Sequence, residues 1–167
     1  IEVRSQVSDG DDTTGNGSGD GDQKYDKIRS ILSDEISNGL VEVERDGDKI
    51  ILRLGQQDSF DSGRAEVKSS FEATLKKVGL ALNDVGGMVK IEGHTDNVPV
   101  GFSSRYRSNW DLSSARSASV ADYILESSGL QPGNVSVAGF ADSKPIASND
   151  TPEGRARNRR IEVLVDG

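Results

Sequence analysis

Three short stretches of this chain hold residues that could do chemistry. They are Ile91-Glu92-Gly93-His94-Thr95-Asp96, Asn109-Trp110-Asp111-Leu112-Ser113-Ser114-Ala115-Arg116 and Gly154-Arg155-Ala156-Arg157-Asn158-Arg159-Arg160. In the first, a β-like run stops at Gly93 and a carboxylate, Asp96, follows it. In the second, Arg116 falls one turn into an expected helix, and in the third, arginines open the last strand. One anion and two guanidinium groups brought together suit a small zwitterion, an ammonium at one end and a carboxylate at the other. That set predicts a binding site rather than a reaction centre.

The catalytic alternatives lack parts. His94 is the only histidine, and no Gly-x-Ser-x-Gly elbow supplies a nucleophile for it to activate. A zinc site needs three or four ligands, so His94 with Asp96 falls short, and the chain has no cysteine. His94 is therefore expected to be structural, its ring nitrogens bonded to nearby backbone so as to shape the loop. No catalytic residue, metal or cofactor is expected.

Asp96 just beyond a strand end fits either a binding group or an Asx-turn that bonds its own backbone, and spacing leaves both open. Arg116 near a helix start is misplaced for the dipole, so it needs a partner: Asp96, Asp111 or a ligand carboxylate. The plain alternative is a surface salt bridge to Asp111 or Asp122. Arg159 and Arg160 sit on an alternating strand, so at most one of them faces any given site. A net charge of −8 with 5% aromatic residues argues against nucleic acid as a partner.

These residues need a scaffold, and the periodicity supplies one. Tyr25, Ile28, Ile31/Leu32 and Ile36 have helical spacing up to Asn38-Gly39. Val41 and Val43, then Ile50, Leu52 and Leu54, alternate as a hairpin around an Asp46-Gly47 turn. A polar loop with Phe60-Asp61-Ser62-Gly63 follows. Phe71, Leu75, Val78 and Leu82 form one stripe of a long helix that Gly86-Gly87 breaks. Met88 to Glu92 reads as a strand, and 97–107 as a loop. Ser108-x-x-Asp111 is a capping box opening a helix to about Ser127, and Gly129 ends it. Val135 to Ala138 reads as a strand, 152–157 as a short helix, and Ile161, Val163 and Val165 as the final strand. The order predicts an α+β fold: a two-layer α/β sandwich on a mixed sheet. Trp110 and Leu112, beside the capped helix start, are expected to be partly buried.

Residues 8–22 contain no apolar side chain, and residues 1–22 hold six acids against one base. Such a segment does not bury enough surface to offset its ordering entropy, so 1–22 reads as a flexible acidic Gly/Asp-rich linker. No apolar run approaches the roughly 18 residues needed to span a bilayer. The chain opens at Ile1 rather than Met, as expected of a processed chain or fragment with a membrane segment upstream.

Taken together, Phe60-Asp61-Ser62-Gly63, Glu92-Gly93-His94-Thr95-Asp96, Asn109-x-x-Leu112-Ser113-x-x-Arg116, Gly139-Phe140 and Gly154-Arg155-x-x-Asn158-Arg159-Arg160 resemble the OmpA-like peptidoglycan-binding domain. The resemblance covers about residues 50–166, on a βαβαβ-type core. Within that family, Gly93-His94-Thr95-Asp96-Asn97-Val98-Pro99, a loop, and Ser108-Asn109-Trp110-Asp111-Leu112-Ser113 resemble the B subunits of flagellar stators (MotB and PomB). Position 117 is Ser where the family often has Ala.

The resemblance implies three segments: the linker 1–22, an N-terminal helix and first hairpin strand over 23–49, and the OmpA-like domain over 50–167. It implies a non-covalent, non-enzymatic grip on the diaminopimelate of the peptidoglycan stem peptide. Asp96 would take the ligand ammonium and Arg116 its carboxylate. Asn109 and Leu112 would line the site, and Asn158 and Arg159 would close it, with Gly93, His94 and Trp110 structural. It further implies a homodimer, and a stator A subunit as partner through a transmembrane part missing from this chain. The expected location is the periplasmic domain of a single-pass inner-membrane protein that anchors a flagellar motor. The alternative is an outer-membrane or lipoprotein tether with no motor role.

Overall fold

The computed structural model describes residues 21–166. The linker expected over 1–20 lies outside them, whereas Gly21 and Asp22, expected at its end, already belong to a helix. That helix, α1 (21–31), turns at Leu32 into α2 (Ser33–Ser37). Gly39, at φ +74°, lies just past the end, where a left-handed residue is needed to stop a helix.

The hairpin follows as β1 (Glu42–Asp46) and β2 (Lys49–Gly55). Asp46 pairs with Lys49, so the two-residue loop is Gly47-Asp48, one position later than the sequence suggested. The reason is local: Gly47, at φ +62°, supplies the left-handed residue that a tight hairpin loop demands.

Next come α3 (Gln56–Ser59), α4 (Glu72–Val85), β3 (Val89–His94) and α5 (Asn109–Ser128). The chain continues through β4 (Val135–Gly139), α6 (Pro152–Asn158) and β5 (Arg160–Asp166). The strand order is β1-β2-β5-β3-β4. Only β3 and β4 pair in parallel, joined through α5; the other neighbours are antiparallel. The sheet is mixed, as the pattern predicted.

One core joins the layers. Ile28 and Leu32 pack with the α4 stripe (Leu75, Val78, Leu82), with Val120 and Ile124 of α5, and with the inward residues of the strands. The 23–49 segment contributes to this core through Ile28, Leu32, Val41 and Val43. Each large side chain buried here contributes roughly 1.5–3 kcal/mol of transfer free energy.

The α5 helix lies unusually close to the sheet. A Cβ on Gly93 would sit 2.2 Å from the Ser113 carbonyl oxygen, and one on Gly139 would sit 2.4 Å from the Ser114 nitrogen. Ser117 donates its hydroxyl to the Ala138 carbonyl (2.8 Å), tying the helix to β4. The helix start is fixed as its sequence predicts: the Asp111 N–H donates to Ser108 Oγ at 3.2 Å. The reciprocal arm is displaced by one residue, since Asp111 Oδ2 accepts from the Arg107 N–H.

Candidate functional site

Extending β3 through Gly93 to His94, beyond the expected end at Glu92, brings the strand to the rim of a cleft of about 760 Å³. Asp96, Asn109, Leu112, Arg116 and Arg159 all line it, together with residues 60–63 and the loop after Asp96. Residues 63 positions apart in sequence therefore meet. Arg159 Nη1 donates to Asp96 Oδ2 at 2.6 Å.

Asp96 makes the Asx-turn that spacing allowed, and its other oxygen is paired within the cleft. Oδ1 accepts the Val98 N–H (3.0 Å), an Asx-turn, while Oδ2 faces the guanidinium of Arg159. Asn109 helps hold the same loop: Nδ2 donates to the carbonyls of Val98 (3.0 Å) and Asp96 (3.4 Å).

Arg116 has the most unusual surroundings. It is 4% exposed yet pairs with no carboxylate among the described residues, neither Asp111 nor Asp122. Nε donates to the Arg64 carbonyl (2.7 Å), Nη2 donates weakly to the Asp61 carbonyl (3.4 Å), and the guanidinium lies 5.0 Å from the Phe60 ring centroid. Nη1 has no protein acceptor among the described residues. Burial lowers its pKa to about 10, with opposing contributions from Tyr106 and Asp96 and a further lowering from Arg159. At neutral pH it remains a cation without a counter-charge of its own.

The Phe60-Asp61-Ser62-Gly63 stretch thus does more than the polar loop expected of it. Phe60 is 1% exposed, bridges to Val67, and forms the platform beneath Arg116. The available signal was a lone aromatic within a polar run.

Asn158 stands apart from the cleft. Its Oδ1 accepts the N–H groups of Ile146 and Ala147, and its Nδ2 donates to Ala147 O and Asn149 Oδ1. Gly154, one turn earlier, leaves room for the Ser148 carbonyl, which a Cβ would meet at 1.8 Å. Asn158 and Gly154 latch the 146–149 loop. The burial expected of the helix start divides: Leu112 is 6% exposed, but Trp110 is 55% exposed, because the second residue of α5 turns away from the sheet.

His94 and Arg160 point to the opposite face. His94 is 3% exposed, stacks on Phe140 (5.4 Å between centroids), and its Nε2 lies 3.2 Å from Glu92 Oε1. Its Nδ1 is buried without a partner, so the backbone bonds expected of the ring are not made. Glu92, His94 and Glu162 place one donor atom each within 4.8 Å of one another, a spacing that could invite a metal. The positive charge there comes from the protein instead: Arg160 (2.7 Å) and Arg53 (3.0 Å) both bond Glu162 Oε2, and Lys90 pairs with Glu92. A divalent cation would be forced between guanidinium groups.

Burial, reinforced by Arg160, holds the His94 pKa below the ordinary 6.5, although Glu162 and Glu92 pull the other way. The unfolded chain therefore binds a proton near pH 6.5 that the folded domain refuses. Stability contributed by the neutral ring is complete above that pH and falls as pH drops towards the folded-state value. His94→Gln should flatten the pH dependence of thermal stability below about pH 6.5. Melting curves of both proteins across that range provide the check.

Residues 59–159, which include Asp96, Asn109, Leu112, Arg116 and Arg159 of the cleft, match the OmpA family. The chain belongs to the OmpA family. This OmpA-like domain is 30% identical over 141 residues to Motility protein B of Bacillus subtilis, covering 83% of this chain and 53% of that protein. Among solved structures it resembles the cell wall anchor of the T6SS from Pseudomonas aeruginosa (TM-score 0.78, 37% identity, 84% of this chain and 96% of that one). It also resembles a putative MotB like protein from Desulfovibrio vulgaris (TM-score 0.79, 26% identity, 87% and 93%). The chain spans between 53% and 59% of the length of the curated relatives that match most of it.

Proposed function

We propose that this OmpA-like domain is a non-enzymatic anchor that grips peptidoglycan through the diaminopimelate of its stem peptide. The observation that carries the proposal is Arg116, a buried guanidinium without a carboxylate, facing a cleft that also holds the Asp96–Arg159 pair. A zwitterionic amino-acid end complements that arrangement. Its carboxylate meets Arg116 in a charge-assisted pair, and its ammonium shares Asp96. Arg159 flanks both groups, and Leu112 and Asn109 line the wall.

The likeness to Motility protein B and to a MotB like protein supports a motor reading. The domain would then lie in the periplasm, follow a single inner-membrane helix, dimerise, and hold a stator A subunit to the wall. The likeness to the T6SS cell wall anchor favours a second reading, an anchor for a machine other than the flagellar motor. An acid-bearing transmembrane helix encoded upstream supports the motor, and its lack supports the second reading.

The grip itself is tested by co-sedimentation with purified sacculi. The domain should pellet with them, soluble stem peptide should release it, and no muropeptides should appear in the supernatant. Muropeptide release would replace the anchor with an enzyme.

A further inference from the structure

We infer that the cleft reads the state of its ligand's carboxyl group: Arg116 admits a free carboxylate and rejects the carboxamide of the same ligand. This rests on the zwitterion reading above and sharpens it to one chemical distinction.

Among the described residues lining the cleft, the one buried guanidinium, Arg116, has no anion. Asp96 already has a cation, Arg159, on one oxygen and the Val98 N–H on the other. Asp61 offers Arg116 only its carbonyl, while its carboxylate lies 3.9 Å from Lys68. Arg116 itself uses Nε and Nη2 on two neutral carbonyls, and Phe60 covers one of its faces. A ligand that closes this cleft removes the remaining water from Arg116, so it must replace that water with negative charge.

A carboxylate does so with acceptor oxygens alone. A carboxamide brings one neutral acceptor and an NH₂ group, and that NH₂ would set donor against donor at the guanidinium fork. Charge-assisted hydrogen bonds are about twice as strong as neutral ones, and a site left with an unpaired buried charge discriminates steeply. The expected penalty for the amide is about thirtyfold in affinity or more. A cell wall whose stem peptides carry the carboxamide at this position would then be a poor substrate for the anchor.

The test is calorimetric titration of the domain with three synthetic tripeptides. They end in meso-diaminopimelate, in the same residue with the carboxyl beside its free amine converted to the carboxamide, and in lysine, which lacks that side-chain carboxyl. The acid should bind, and the amide and lysine peptides should both bind at least about thirtyfold more weakly. Arg116→Gln, whose neutral amide serves either ligand, should lose the preference for acid over amide. An amide or lysine peptide binding wild type within about threefold of the acid would overturn this inference while leaving peptidoglycan binding intact. Failure of all three to bind would overturn the diaminopimelate reading as well. The wild-type comparison stands whether or not the variant folds.

Discussion

Arg116→Ala should abolish capture by sacculi, weakening binding by a hundredfold or more. Truncating one partner of a buried, hydrogen-bonded charge pair costs about 2–5 kcal/mol in a complex. Here Arg116 is the one buried guanidinium of the cleft without its own carboxylate. Stability should respond differently. The free domain carries the desolvation cost of Arg116 with only two carbonyls and an aromatic face in return. Removing the charge relieves that cost while leaving a void above Phe60, so the net change should stay within about 2 kcal/mol. Arg116→Lys keeps the charge but loses the planar fork, and should bind about tenfold more weakly than wild type. Pull-down with sacculi alongside thermal melts separates the two effects. An Arg116→Ala domain that pelleted like its parent would remove Arg116 from the site.

The second large effect is on stability. Gly93→Ala should destabilise the domain by about 3 kcal/mol or more, because the added methyl has no space to enter. The atoms it would strike are backbone: the Ser113 oxygen at 2.2 Å and the Ser113 carbonyl carbon at 2.9 Å, with Ser117 Oγ at 2.7 Å. No rotamer change relieves such a clash, so α5 must lift from β3. Asn109, Leu112 and Arg116 ride on α5 while Asp96 follows β3, so binding should fail together with stability. A fall in Tm of roughly 10 °C is expected for a domain of this size. Gly133→Ala is the control, with nothing within 4 Å of its Cβ position and an ordinary φ. A Gly93→Ala melt that matched this control would refute the close-packing argument.

The secondary structure was largely legible because its signals are local. The Phe71-Leu75-Val78-Leu82 stripe, the Ser108 cap and the glycines after α4 and α5 each act within a few residues. What failed was set by distant neighbours. Gly93 looked like a strand end, yet it continues the strand by pairing with Gly139 and Ile161, and it is glycine because a helix backbone lies against it from 20 residues later. Trp110 was expected to be partly buried beside the capped helix start, but the helix face it occupies depends on which residues of α5 touch the sheet. His94 was expected to bond nearby loop backbone, but its neighbours are Glu92, Arg160 and Phe140. For the cleft, residue types suggested an acid and two guanidinium groups. The pairing did not follow from them, because only the fold could show that Asp96 bonds Arg159 and leaves Arg116 alone.

That internal bond between Asp96 and Arg159 also sets how the anchor behaves as ionic strength changes. On the proposed reading, a ligand ammonium sharing Asp96 would join a charge that is already matched, and a zwitterionic end would bring no net charge of its own. The exchange takes place within a few ångströms, well inside the Debye length of about 8 Å in physiological salt. Mobile ions have little to screen and few counterions to release. The hold on the wall should therefore change little between dilute and concentrated surroundings, unlike a contact built on an exposed field of like charges.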